Sequence, residues 1–479
     1  MKKKIIITVS TLILIIIIGL VITPYTLNKQ DGILWHVKQI VPEPIKILIK
    51  KKLFKKNLDL KKYQDLERAY IKLNNDIFIL NVSNELTLSE ELKINSNKNK
   101  KYLLKKFYLP FGMQHANGGK PSAYIEFYKD NLIIASGRAD FISINVNDLK
   151  NKKVKFINLK SNFKDIVKQK KFYVPGNQGL RDLKIIDDFI FLTYPKPIID
   201  QTGKKCVTLG ILSAKVNLKF LKFEDFFSLK KCPVRGTWES TRSGGRLEGD
   251  KNKLFLTVGD FGDMIPDPTS QNLKTHYGKI ISIDRNTKQV KIISIGHRNP
   301  QGLLYDLKKN FLISSEHGPD GGDEINLINL NDRKVENFGW PISSYGEHYK
   351  STLRGHHDTS TFPDIKKYAP LHKSHIQYGF KEPLKNWTPS IGVSQIDFKN
   401  DDSNKKNIYI SSLGNNIPEG DMTLHKFTYT HDYKKVLFED NIIIGERIRD
   451  MMLLRQDKET VFMVLESTPS LGILRSMQN

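Results

Sequence analysis

The sequence predicts an all-β fold: a six-bladed β-propeller preceded by an N-terminal transmembrane helix and a basic neck. Three observations carry this. The chain has 479 residues, beyond an ordinary domain of about 100–200, yet holds a single long apolar run. A unit made of an apolar pair, a polar turn and a strongly apolar strand recurs six times. From about residue 106 onward, Gly, Asn and Asp separate short β-type runs.

The elements follow in chain order. Lys2, Lys3 and Lys4 precede an uncharged run over 5–22, whose 18 apolar or small residues just span a bilayer core of about 30 Å. No Ala-x-Ala site follows, and the run ends at Thr23-Pro24-Tyr25. This favours an uncleaved signal anchor over 1–23 to a removed peptide. Lys50, Lys51, Lys52, Lys55 and Lys56 lie on the other flank, so charge alone does not orient the anchor. The expectation is a single-pass protein of the cytoplasmic membrane, anchored through 5–22, with its body on the periplasmic or extracytoplasmic side. Residues 24–105 read as a basic juxtamembrane neck, in which 45–54 either lies near the membrane surface or is a plain linker helix.

The formal net charge is +25, and residues 1–63 hold 13 Lys against 3 acids. No arginine-rich, aromatic-interleaved segment accompanies that charge, so no nucleic-acid partner is expected. Residues 106–479 read as the propeller. Its repeats fall at 123–135, 180–192, 246–256, 303–313, 393–410 and 451–464, mostly 55–65 residues apart. A hairpin cannot bury its own face, but copies stacked radially can. The fourth gap is longer, and the insertion over 330–388 is rich in Gly, His, Tyr and Pro, as loops over one face are. Cys206 and Cys232 exclude a disulfide scaffold and a four-cysteine zinc site; they form one bridge or remain two buried thiols. No G-x-G-x-x-G opens a helix, and neither a P-loop lysine nor H-E-x-x-H occurs, so nucleotide cofactors and a zincin mechanism have no support in the sequence.

Four dense segments carry candidate chemistry: Gly296-His297-Arg298-Asn299-Pro300-Gln301-Gly302-Leu303, the stretch from Ser315 to Asn326, Asn337-Phe338-Gly339-Trp340-Pro341, and Arg447-Ile448-Arg449-Asp450. Carbonyls of a Gly-Pro turn with Asp323 and Glu324 offer the oxygens a hard cation takes. Equally, those acids can cap loop amides. Arg298, Arg447 and Arg449 present forks suited to planar carboxylates, or form a solvated face. Asn299 can bond a ligand or hold a turn.

As an ordered set, these segments resemble the soluble quinoprotein aldose dehydrogenases that use pyrroloquinoline quinone (PQQ) and calcium, the glucose/sorbosone dehydrogenase family. The resemblance runs from about residue 106 to the C-terminus and implies a six-bladed propeller. It implies that Asn299 contacts the quinone with Arg298 beside it, and that Arg447 and Arg449 pair with PQQ carboxylates. Gly318 and Pro319 would give main-chain oxygens to the calcium that bridges protein and PQQ. Glu324 and the carbonyl of Phe338, where the family usually has Tyr, would hold a second calcium. Asn177 or Gln178 falls where the family uses a glutamine on the cofactor, and Trp387-Thr388-Pro389-Ser390 resembles the opening of the penultimate blade. The implied activity is oxidation of the anomeric carbon of an aldose or related alcohol. Calcium at a quinone oxygen acts as a Lewis acid, and a base takes the hydroxyl proton. The implied partners are a small sugar or alcohol and a separate electron acceptor, since no Cys-x-x-Cys-His is present.

Two positions depart from the family. Its base histidine precedes a Gly-Arg-Leu start; Thr241-Arg242-Ser243-Gly244-Gly245-Arg246-Leu247 places Arg242 there. Arginine stays protonated and cannot act as that base. Its cofactor lysine follows Ser-Leu; here Ser412-Leu413 is followed by Gly414. Three accounts stay open. Another histidine serves (His276, His297, His317, His348, His356, His357, His372 or His375); the register shifts to Glu239; or the propeller is catalytically inactive and binds a sugar-like or anionic ligand. A structural role as an envelope adaptor is the remaining reading.

Overall fold

The computed structural model describes residues 84–110, 122–167, 179–234, 241–262, 268–349, 365–400, 405–454 and 460–477. Each of the six recurring units is an antiparallel hairpin. They are Ala123–Tyr128 with Asn131–Ser136, Asp182–Ile186 with Phe189–Ile199, and Gly244–Gly249 with Lys253–Val258. The others are Pro300–Asp306 with Phe311–Glu316, Val393–Asn400 with Lys406–Ser412, and Ile448–Leu453 with Thr460–Leu465. A third and a fourth strand extend every hairpin, giving an all-β, propeller-like fold of several sheets. The second strands are apolar almost without interruption because both faces are covered; Asn131–Ser136 is buried at every position but the first. The outer Lys153–Ser161 has one wet face and alternates accordingly.

Strands also occur within the segment read as neck. Lys101–Tyr108 pairs antiparallel with the C-terminal strand Ser470–Ser476, so the two ends of the described body close one sheet. Glu85–Asn95 pairs with Lys101–Tyr108 and, through Glu85 to Thr87, with Lys153–Ser161. That joins the first and last units into one ten-stranded sheet. Apolar clusters fill the spaces between neighbouring units; one gathers Phe107, Ile125, Ile134, Phe156 and Phe462.

The innermost strands position the site. Four of them carry a register shift near their start, between Gly244 and Leu247, Pro300 and Gly302, Val393 and Ile396, and Ile448 and Asp450. Such bulges re-aim side chains and leave ladder groups to be satisfied otherwise. Aspartates of neighbouring units also cap main-chain amides along the innermost strands. Asp450 Oδ2 accepts from Ile125 N at 2.8 Å, Asp182 Oδ2 from Leu247 N at 2.7 Å, Asp397 Oδ2 from Leu453 N at 2.8 Å and Asp323 Oδ2 from Val393 N at 3.1 Å. Arg246 Nη1 then donates to Asp182 at 3.0 Å and Asp450 at 2.8 Å, tying three units by one buried cation.

The expected membrane localisation is corrected. Among the described residues no helix is long and apolar enough to cross a membrane, and the run over 5–22 that suggested an anchor lies outside them. The cysteine alternative is settled: Cys206 and Cys232 form a disulfide.

Candidate active site

The turn before the third hairpin carries Arg242 at a backbone φ of 58°, a left-handed conformation unusual for a side chain of this size. Its carbonyl leaves room only for glycine opposite: a Cβ on Gly259 would lie 1.9 Å from Arg242 O. The Arg242 Nε lies 3.6 Å from Oδ1 of the fully buried Asp260. Asp260 also accepts from Trp340 Nε1 at 2.9 Å and donates its own amide to Arg298 O at 2.8 Å. Thus Arg242 and Trp340 meet around one carboxylate, and Arg298 is tied to the same residue through its main chain. In the same turn Ser243 Oγ accepts from Arg181 Nε at 2.8 Å, and burial pushes the Arg181 pKa down to about 10.

Arg298 lies over the Trp340 ring at 5.4 Å and donates to His317 O at 3.0 Å and to Tyr349 Oη at 3.3 Å. Asn299 Oδ1 accepts from Gly244 N at 3.3 Å and from Gln301 Nε2 at 2.9 Å, so its side chain ties the arginine turn to the fourth hairpin.

Arg447 and Arg449 share one partner that the motifs did not reveal. Glu466 Oε2 accepts from Arg447 Nε at 2.7 Å, and its Oε1 from Arg449 Nε at 2.6 Å. Glu466 is 1% exposed at its side chain, the two arginines 14% and 17%. Two cations against one carboxylate leave a surplus positive charge, and neither guanidinium end has a partner among the described residues. Burial pushes Arg447 down; at Arg449 burial acts the same way, but Glu466 outweighs it and the pKa rises.

The expected cation segment splits into two parts. Asp323 caps amides: Oδ1 accepts from Gly318 N at 3.0 Å, and Oδ2 from Gly392 N at 2.7 Å and Val393 N. Glu324, Phe338 and Gly318 instead line one small cavity with Glu316, while Pro319 is not among its lining residues. Glu324 bonds to His375 Nε2 at 3.1 Å and Asn326 Nδ2 at 3.2 Å; Asn326 also donates to Glu316 at 3.1 Å. Asn326 Oδ1 is buried with no hydrogen-bond partner. Burial, with Glu316 close by, pushes Glu324 up. Two buried carboxylates and an orphaned amide oxygen are a donor set that suits a hard cation. Among the described residues no group of three ionisable ligands converges, so neutral oxygens would have to complete such a site.

The histidines offered as replacement bases are largely engaged. His297 is buried between Ser294 Oγ at 2.7 Å and Glu316 at 3.2 Å. His375 is held by Ser343 Oγ at 2.8 Å and Glu324. His317 Nε2 meets Val393 O at 2.5 Å, and His348 Nε2 meets Ala369 O at 2.8 Å. His372 stacks on Tyr378 at 3.8 Å, and His276 lies in a separate groove. His356, His357, Glu239, Asn177 and Gln178 lie outside the described residues.

Residues 146–475 match the family described as Glucose / Sorbosone dehydrogenase. The chain belongs to the glucose/sorbosone dehydrogenase family. It is 31% identical over 246 residues to the aldose sugar dehydrogenase YliI of Escherichia coli K12, covering 47% of this chain and 59% of that one. It is 33% identical over 127 residues to quinoprotein glucose dehydrogenase B of Acinetobacter calcoaceticus, covering 21% and 26%. The chain thus spans less than two thirds of these curated relatives. The crystal structure of the soluble aldose sugar dehydrogenase of Escherichia coli in its apo-form superposes with a TM-score of 0.53 at 21% identity, over 81% of this chain and 99% of that one, which shows a shared fold.

Of the residues singled out in the sequence, Arg242 meets Asp260, Asn299 accepts from Gly244 in the same turn, and Arg447 and Arg449 share Glu466. Sequence reading missed Glu466, Asp260 and Asn326 as partners. Glu466 lies 19 residues beyond Arg447, in the turn just past the strand Thr460–Leu465, with no spacing to announce it.

Proposed function

We propose that this family member is a quinoprotein that binds PQQ with calcium and oxidises the anomeric carbon of an aldose or related alcohol, passing the electrons to a separate acceptor. The observation that carries the reading is the Glu466 clamp. Each arginine is fixed through Nε, so its two Nη groups are pre-set for the carboxylates of a planar acid. The six four-stranded units are read as a six-bladed propeller around that clamp. Arg298 and Asn299 would flank the quinone. Gly318 and Pro319 would supply oxygens to one calcium; Glu324 and Phe338, with Glu316 and Asn326, would hold a second. PQQ, when bound, supplies the electron sink for the sugar's hydride. The chain's residues orient the acid, hold the sugar beside it and exclude water; a base must take the anomeric hydroxyl proton.

A second reading rests on Arg242. By the sequence resemblance it falls at the family's base position, its Nε lies 3.6 Å from Asp260 Oδ1, and a guanidinium has no acceptor to take a proton. Such a site binds a sugar-like or anionic ligand without oxidising it.

The test is a PQQ titration of the full chain with calcium present and with calcium chelated, followed by aldose-dependent reduction of an electron-accepting dye. Calcium-dependent binding with turnover supports the quinoprotein. Binding without turnover that Arg242→His restores supports the second reading. No PQQ binding overturns the first.

A further inference from the structure

A second site lies away from the arginine clamp, between the outer strands Glu224–Ser228 and Val290–Ile295 of adjacent sheets. A cavity of about 470 Å³ opens there, within the size range of small-molecule sites. Phe226, Leu229 and Val290 contribute its apolar wall, and Lys230, Lys231, Lys274 and Lys288 its cations. Among the described residues no carboxylate lines it. None of the four ammonium groups forms an ion pair among the described residues, unlike Lys184, Lys196 or Lys406, each of which faces an acid.

We propose that this groove binds a small organic anion with a flat apolar body, of the aryl carboxylate or sulfonate class. Two features carry the choice. Lys288 Nζ lies 3.5 Å from the centre of the Phe226 ring, so a cation and an aromatic face meet at one wall. With Lys288 over Phe226, a flat ring can lie against Leu229 and Val290 while its charged group meets the lysines. The groove also gathers like charges. Burial pushes the pKa of Lys288 down, with Arg285 adding to it, and that of His276 down, with Lys279 and Lys231 adding. An anion relieves that repulsion, and the apolar wall adds burial that inorganic sulfate cannot supply.

The test uses the full chain with naphthalene-2-sulfonate as probe, followed by its own fluorescence, with neutral naphthalene-2-methanol and inorganic sulfate as controls. The proposal expects saturable one-to-one binding that neither control displaces at equal concentration. It expects the affinity to fall by about tenfold or more in Lys231→Glu/Lys274→Glu, and at high salt, while Arg449→Ala leaves it unchanged. Val290→Trp fills the groove without altering its charge and is expected to abolish binding too. Binding that survives both groove variants, or that is lost in Arg449→Ala, places the anion elsewhere and overturns the proposal. Non-saturable uptake overturns it as well.

Discussion

Asp421 fills the space that a side chain at Gly414 would need: a Cβ on Gly414 would lie 1.9 Å from Asp421 Cγ. The lysine expected at this position from the family is therefore not merely absent. Its place holds a carboxylate that is 4% exposed, accepts from Asn416 N at 2.5 Å through Oδ2, and keeps Oδ1 without a partner. Burial pushes its pKa up. Gly414→Ala should destabilise the chain by about 1–3 kcal/mol through overpacking, and Asp421→Gly should relieve most of that cost. A denaturant double-mutant cycle reads the coupling; additive effects would contradict the contact.

Glu466 should matter more than either arginine it holds. Glu466→Ala leaves two part-buried cations repelling each other, and a loss of about 3 kcal/mol is expected. Removing one arginine leaves the other paired, so Arg447→Ala should cost less. Chemical denaturation of the three proteins checks the ranking.

Lys184 faces Glu126 at 3.2 Å and Glu248 at 2.8 Å, and one ammonium cannot offset two buried carboxylates. Burial pushes Glu126 up to about 7 from its ordinary 4.5. The folded state therefore binds a proton more tightly than the unfolded one. Its stabilisation is complete below the unfolded pKa and is lost as pH rises through about 7. Stability should fall by on the order of 2 kcal/mol over that window, and Glu126→Gln should flatten this part of the profile. An unchanged slope in the variant would show that Glu126 is not the group responsible.

The Cys206–Cys232 bridge closes a loop with a sequence separation of 26. Reduction, or Cys206→Ser/Cys232→Ser, should cost roughly 3 kcal/mol on a chain-entropy basis. Peptide mapping under non-reducing conditions should recover the linked pair.

The strands were legible because their signal is local. An apolar pair, a turn and an apolar strand at 123–135 suffice to read the hairpin Ala123–Tyr128 with Asn131–Ser136. The arginines of the site were legible as motifs, but their settings were not. Arg246 joins Asp182 and Asp450 across separations of 64 and 204 residues, which no spacing rule anticipates. Asp323 and Glu324 are adjacent and chemically alike, yet the strand turns one toward loop amides and the other into a buried cavity. Only alternation along a known register separates them. The segment read as neck hid two strands because Glu85–Asn95 is largely exposed and carries little apolar signal.

The most direct test of the account is the affinity of the full chain for PQQ, with calcium present, in the unaltered protein and in Arg447→Ala and Arg449→Ala. A clamp that presents both forks to cofactor carboxylates predicts saturable binding, weakened by about tenfold or more in each variant. Equal affinity in all three proteins, or no binding in any, would contradict it.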